Sequence, residues 1–174
     1  MAERLCVGQP GKRLFTMRQS FKTGVSFGLT SGVITTLGLM VGLNAGTHSR
    51  LAVIGGIVTI AVADALSDAL GIHIAEESKN NGNASEIWES TIATFLAKFL
   101  IALTFVVPVL MLPLEEAMMV SAGWGLTLLA VLSYFLARAQ QIPAWKVIAE
   151  HVVIGVSVIM ITHVLGDWIY LHLS

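Results

Sequence analysis

The sequence predicts an all-α membrane protein of five transmembrane helices, on three observations. First, 55% of its 174 residues are hydrophobic and only 12% charged, with a mean hydropathy of +0.80. A soluble domain carries roughly 25% charged residues, so lipid is the expected solvent for most of this chain. Second, hydropathy resolves five apolar runs, each about as long as the roughly 20 residues at 1.5 Å that cross a bilayer. Third, the basic residues gather on alternate loops, as the positive-inside rule requires of a multi-pass protein.

Residues 1–22 form a basic cytoplasmic segment carrying Arg4, Lys12, Arg13, Arg18 and Lys22. Leu14, Phe15, Met17 and Phe21 interleave with these bases, so Leu14–Lys22 is either a short amphipathic helix on the membrane surface or plain flanking sequence. No lipobox or small-residue cleavage site surrounds the first apolar run, which is read as a retained helix. Residues 23–174 form a single domain, with spans at about Thr23–Thr47, Leu51–Ala75, Thr91–Leu112, Ala117–Ala137 and Val147–Leu171. Asn80-Asn81-Gly82-Asn83 predicts a tight turn after the second span. Pro108 and Pro113 bend or end the third, and Pro143 starts the fifth from its loop.

Of the ten Lys and Arg residues, eight fall on one side of these spans, Arg50 alone on the other, and Lys98 within a span. This predicts a cytoplasmic N-terminus, an external C-terminus and residence in the cell membrane. The single cysteine, Cys6, excludes an internal disulfide and a cysteine metal cluster. Enzyme classes find no support. There is no set of paired histidines for a membrane di-iron centre, no arginine beside Glu76-Glu77, and no phosphate-binding glycine loop after a strand. Nothing in the composition points to nucleic acid.

Asp64 and Asp68 are the most informative residues. They lie in the middle of an otherwise uncharged run, Leu51 to Ala75, one helical turn apart. A carboxylate at that depth costs about 2.5–3.5 kcal/mol on insertion scales, which makes the pair a functional-site hypothesis by default. Their i, i+4 spacing puts both on one helix face, where they can hold a cation together or share a proton; the bland alternative is a structural pair hydrogen-bonded to neighbouring helices.

The first span carries Gly24, Gly28, Gly32, Gly38, Gly42 and Gly46 within an arc of roughly 120°. Such a stripe allows backbone-to-backbone approach of another helix, and it is expected at or beside the axis of a symmetric dimer. Ser31 and Thr35 fall in the same arc. Ser31 lies roughly 6 Å to the cytoplasmic side of its span's middle, and Asp68 lies at about the same level on a chain running the other way. The face of the second span that bears Ala61, Asp64, Asp68, Gly71 and Ala75 is small and acidic. If the two faces meet, hydroxyls and carboxylates converge.

Phe27-Gly28-Leu29-Thr30-Ser31-Gly32-Val33-Ile34-Thr35-Thr36 resembles the first-helix motif of the vacuolar iron transporter family. Ala63-Asp64-Ala65-Leu66-Ser67-Asp68-Ala69-Leu70-Gly71, followed by Glu77-Ser78, resembles its second-helix motif. The resemblance implies a five-helix homodimer that moves ferrous iron or manganese against protons along a central pathway, with the cation as cargo rather than a permanent cofactor. This chain departs from the family at Ser31, where an aspartate is usual, and at Asp68, where a methionine is usual. The exchange keeps a carboxylate and removes the soft thioether, which suits manganese, magnesium or calcium and selects ferrous iron less sharply. Longer relatives insert a cytosolic metal-binding domain where this chain has only Glu76 to Ser90. Glu76, Glu77, Glu86 and Glu89 in that connection are either a cation-capturing mouth or a solvated acidic loop.

The implied function is a proton-coupled exchanger exporting iron or manganese from the cytoplasm. The expected metal-contacting residues are Asp64, Asp68, Ser31, Thr35, Glu76, Glu77, Glu86 and Glu89. The alternative is a non-transporting member of the same fold with a structural or regulatory role. Lys98 bears on the choice: it lies level with Asp68, and it either pairs with an acid inside the bundle or snorkels to the interface. His163 and Asp167, also i, i+4, are either a relay or exit ligand or a structural pair. His73 falls about 140° from Asp68 around the helix and is not expected at that site. Glu150 and His151 are expected at the interface.

Overall fold

The computed structural model describes residues 10–79 and 83–173, with side chains from Gln19 onward. The expected turn at Asn80–Gly82 and the side chains of Leu14–Arg18 lie outside the described residues. Six helices follow one another: α1 (Pro10–Thr47), α2 (Arg50–Ser78), α3 (Ala84–Thr104), α4 (Val106–Met111), α5 (Leu114–Gln140) and α6 (Ala144–Leu173). Five segments are long and apolar enough to cross a membrane: Gln19–Thr47, Arg50–Ser78, Ala84–Met111, Leu114–Gln140 and Ala144–Leu173. The five-span expectation therefore holds; four spans extend a few residues beyond the run read from hydropathy at one or both ends, and the third starts seven residues earlier, at Ala84, and ends one residue sooner, at Met111. Helix α1 runs unbroken through residues 14–22, so this stretch is not a separate helix.

The third span is the broken one. Pro108 has no N–H to offer the Thr104 carbonyl, and its ring crowds that oxygen. The helix accordingly ends at Thr104 with a tightened turn, Phe105 N–H donating to Ala102 O at 3.1 Å, and restarts as α4. Pro113 then stops α4 and precedes α5, whose first turn carries Glu115 and Glu116, favourably placed at a helix N-terminus. Ser49 caps α2 by accepting from the Ala52 N–H. Gln141 closes α5 in the left-handed conformation (φ 57°), just ahead of Pro143.

Helix α1 is the centre of the bundle and touches α2, α3, α5 and α6. Val33, Leu37, Met40, Val53, Ile57, Phe105, Val109 and Leu129 form the buried core around it. The outward faces of the other helices are mostly apolar, as with Leu66, Leu70, Leu100, Val164 and Leu165, in keeping with a lipid surround. Several hydroxyls inside the bundle bond back to their own helices, including Thr94 to Ser90 O and Ser133 to Leu129 O, which lowers their cost in an apolar interior, while Thr36 Oγ1 and Ser121 Oγ are buried without a partner.

The glycine stripe corrects one expectation. Its faces are filled by the chain's own helices and are not left for a second copy. A Cβ on Gly28 would lie 2.5 Å from the Thr94 carbonyl oxygen, and one on Gly32 would lie 2.5 Å from Ile101 Cγ2. Farther along, a Cβ on Gly42 would meet the Thr162 carbonyl at 3.4 Å, and one on Gly166 the Gly42 carbonyl at 2.5 Å. The stripe thus seats α3 against one half of α1 and α6 against the other. A small face is complementary to any helix, so sequence could not choose between an internal and an external partner.

Candidate functional site

Because α1 and α2 are antiparallel and joined by two residues, equal depths meet. Ser31 Oγ donates to Asp68 Oδ2 at 2.6 Å. Lys98, from α3, closes the third side. Its ammonium donates to Asp68 Oδ2 and to Ser31 Oγ (3.0 Å), and its Nζ lies 2.6 Å from Asp64 Oδ2. The Asp64 contact is ionic without hydrogen-bond alignment, so that oxygen is buried with no aligned donor.

Burial is uneven across the cluster. Lys98 is 1% exposed, whereas the Asp64 and Asp68 side chains are 27% and 21% exposed. The ammonium is sealed behind the carboxylates, and the carboxylates open outward along α2. With both acids ionised and Lys98 protonated, the cluster carries one net negative charge. Lys98 reaches the acids because its stem lies over Gly32, whose missing side chain leaves room for it; a Cβ there would sit 3.1 Å from Lys98 Cγ. Lys98 therefore pairs within the bundle and does not snorkel.

Other expected residues are placed apart. Thr35 Oγ1 donates to Ser31 O within its own helix and makes no contact with the acids. Glu76 pairs with Lys79 at 2.7 Å, Glu77 is exposed, and Glu86 and Glu89 are half-buried, Glu89 with one carboxylate oxygen buried and unpartnered. Among the described residues no three His, Cys, Asp or Glu side chains converge as a metal-holding group, so a single copy does not assemble the eight expected residues into one site. The geometry brings together only Ser31, Asp64 and Asp68 of that set, joined by Lys98.

The histidines separate as well. His73 bonds Thr91 Oγ1 at 3.0 Å and meets Trp88 edge-on, away from the acids. His163 and Asp167 pair at 3.1 Å, about half exposed on the outer face of α6. Glu150 is exposed, while His151 turns into the bundle and bonds Ser133 at 2.7 Å. Sequence reasoning missed that last contact; the only available signal was that Ser133 lies on the α5 face that is buried throughout.

A second feature bears on the open side of the acids. Gly55, Thr59, Ala63, Ser67, Gly71 and Ala75 recur every fourth residue of α2, and all are exposed. A Cβ added at Gly55 or Gly71 would meet no atom within 4 Å. This small stripe runs one residue away from Asp64 and Asp68. No family model, curated protein or solved structure matches the chain.

Proposed function

We propose that the chain is a divalent-cation transporter that binds its cargo at Asp64 and Asp68 and exchanges it for protons, within a homodimer of the vacuolar iron transporter type. One observation carries this reading: two carboxylates, one turn apart in a membrane-length helix, remain reachable on their outer side while the balancing ammonium is sealed behind them. A purely structural ion cluster gains nothing from leaving its acids open toward lipid. The small stripe on α2 supplies the cover. A second copy approaching along it would bring α2 against α2 and put the two acid pairs face to face. Each copy then contributes one net negative charge, so two copies together balance one divalent cation. Oxygen ligands only, with no thioether, favour manganese over a softer metal.

A non-transporting role has its own supporting observation, the engagement of Lys98 with both acids and Ser31. In that reading the ammonium is the permanent counter-ion. In the transport reading it is a tethered competitor that yields when cargo enters. Proteoliposomes holding a pH-sensitive dye, offered manganese, ferrous iron, magnesium or calcium, test the proposal. Wild type should carry at least one cation with proton counter-movement, and Asp68→Asn should lose about tenfold or more of that flux while remaining folded. Equal flux in wild type and Asp68→Asn refutes the site.

A further inference from the structure

The glycines of α1 divide its neighbours between two helices. Gly24, Gly28 and Gly32 hold its first half against α3, while Gly38, Gly42 and Gly46 hold its second half against α6. At the Gln19 end of α1, a cavity of about 490 Å³ lies between it and α5 and α6. Lys22, Ser26 and Thr30 line one wall and Gln140 and His151 the other. No Asp or Glu is among the lining residues, so the cleft carries positive charge only. The side chains of Lys22, Ser26, Thr30 and Gln140 make no hydrogen bond among the described residues. His151 is already oriented through its bond to Ser133. Phe27, 42% exposed, forms an apolar lip.

We propose that this cleft binds a phosphate group, and that its source is the headgroup of an anionic phospholipid in the leaflet at the Gln19 end. The chemistry is complementary on each count. An ammonium supplies charge-assisted hydrogen bonds, hydroxyls and an amide supply further donors, and the apolar lip lies where an acyl chain would leave the headgroup. The site's position favours lipid over a dissolved anion. Lining residues Gln19 to Ser26 occupy the first two turns of a spanning helix, which is nearest the level of the headgroups, and Thr30 lies one turn deeper, toward the acyl chains. Bound lipid would bridge α1 to α5 and α6 at this end of the bundle. The proposal is independent of cation transport.

The test uses the full chain in nanodiscs of phosphatidylcholine alone or with phosphatidylglycerol, and reads lipid retained by native mass spectrometry together with the melting temperature. Phosphatidylglycerol should be retained and should raise the melting temperature. Lys22→Gln should lower its apparent affinity about tenfold, as expected for loss of one charge-assisted contact. Thr30→Val, which keeps shape, should lower it a few-fold with unchanged melting in phosphatidylcholine. Arg138→Gln removes a base on α5 that does not line the cleft and should leave affinity unchanged. Equal losses in Arg138→Gln and Lys22→Gln, or no loss in Lys22→Gln and Thr30→Val, would overturn the site. Full stabilisation by inorganic phosphate in phosphatidylcholine discs would keep the phosphate site and overturn the lipid as its source.

Discussion

Replacing Lys98 with methionine removes the ammonium and keeps most of the side-chain volume. The structure sets the size of the effect. Lys98 is 1% exposed and touches Asp64, Asp68 and Ser31, and among the described residues no other base pairs with either carboxylate. Removing one partner of a fully buried ion pair costs about 3–5 kcal/mol. Here water reaches the acids from their exposed side, which argues for the lower end, about 3 kcal/mol. For a chain of this size that corresponds to a fall in melting temperature of about 6–12 °C. The assay is thermal unfolding in detergent without divalent cation, run on wild type, Lys98→Met, Asp68→Asn and the double variant. The double variant leaves Asp64 alone and should recover at least half of the loss, because the repulsion between the two acids is gone. Added manganese should restore Lys98→Met, by about 2.7 kcal/mol at a hundredfold excess over its dissociation constant. Rescue by cation belongs to the transport reading; a structural counter-ion role allows none. A melting temperature for Lys98→Met within about 2 °C of wild type, or a double variant whose losses simply add, would refute this account of the cluster.

Three further outcomes follow from the backbone. Gly28→Ala would press a Cβ against the Thr94 carbonyl, so it should destabilise the bundle by about 1–3 kcal/mol, measured by the same melts, whereas Gly123→Ala, whose Cβ would meet nothing within 4 Å, should not lower the melt. If α2 is the dimer seam, Ser67→Cys in a Cys6→Ser background should give disulfide-linked dimers on mild oxidation, and a control cysteine at Leu165 on α6 should not; monomers only from Ser67→Cys would reject that seam. Gln141 ends α5 at φ 57°, a conformation that glycine adopts without strain, so Gln141→Gly should stabilise by about 1 kcal/mol; a lower melting temperature would show that the Gln141 side chain contributes more than the strain it carries.

Much of the candidate site was legible because depth along a helix is arithmetic. A fixed rise per residue and a two-residue connection put Ser31 and Asp68 level before any packing was known, and Lys98 level with them. Rotation was less accessible. The 140° offset of His73 correctly removed it from the acids, but the same reasoning could not say that Thr35 would bond its own backbone, since a hydroxyl in a helix can always turn to the carbonyl one turn back. The acidic residues of the short connection were a matter of composition alone, and composition does not tell a converging set from a dispersed one.

By itself, then, the sequence determined the number of spans, their boundaries to within a few residues except at the start of the third, the break at Pro108 and the presence of charge deep in two helices. These follow from local quantities: the cost of leaving an apolar run in water, the missing proline N–H, and the length of a helical rise. Tertiary structure alone decided which helices use the glycine stripe, that Lys98 stands behind both carboxylates, and that α2 keeps a second small face uncovered. Those outcomes depend on which of several equally compatible faces meet when five helices compete for one central partner, a choice made by the whole bundle and written in no single segment.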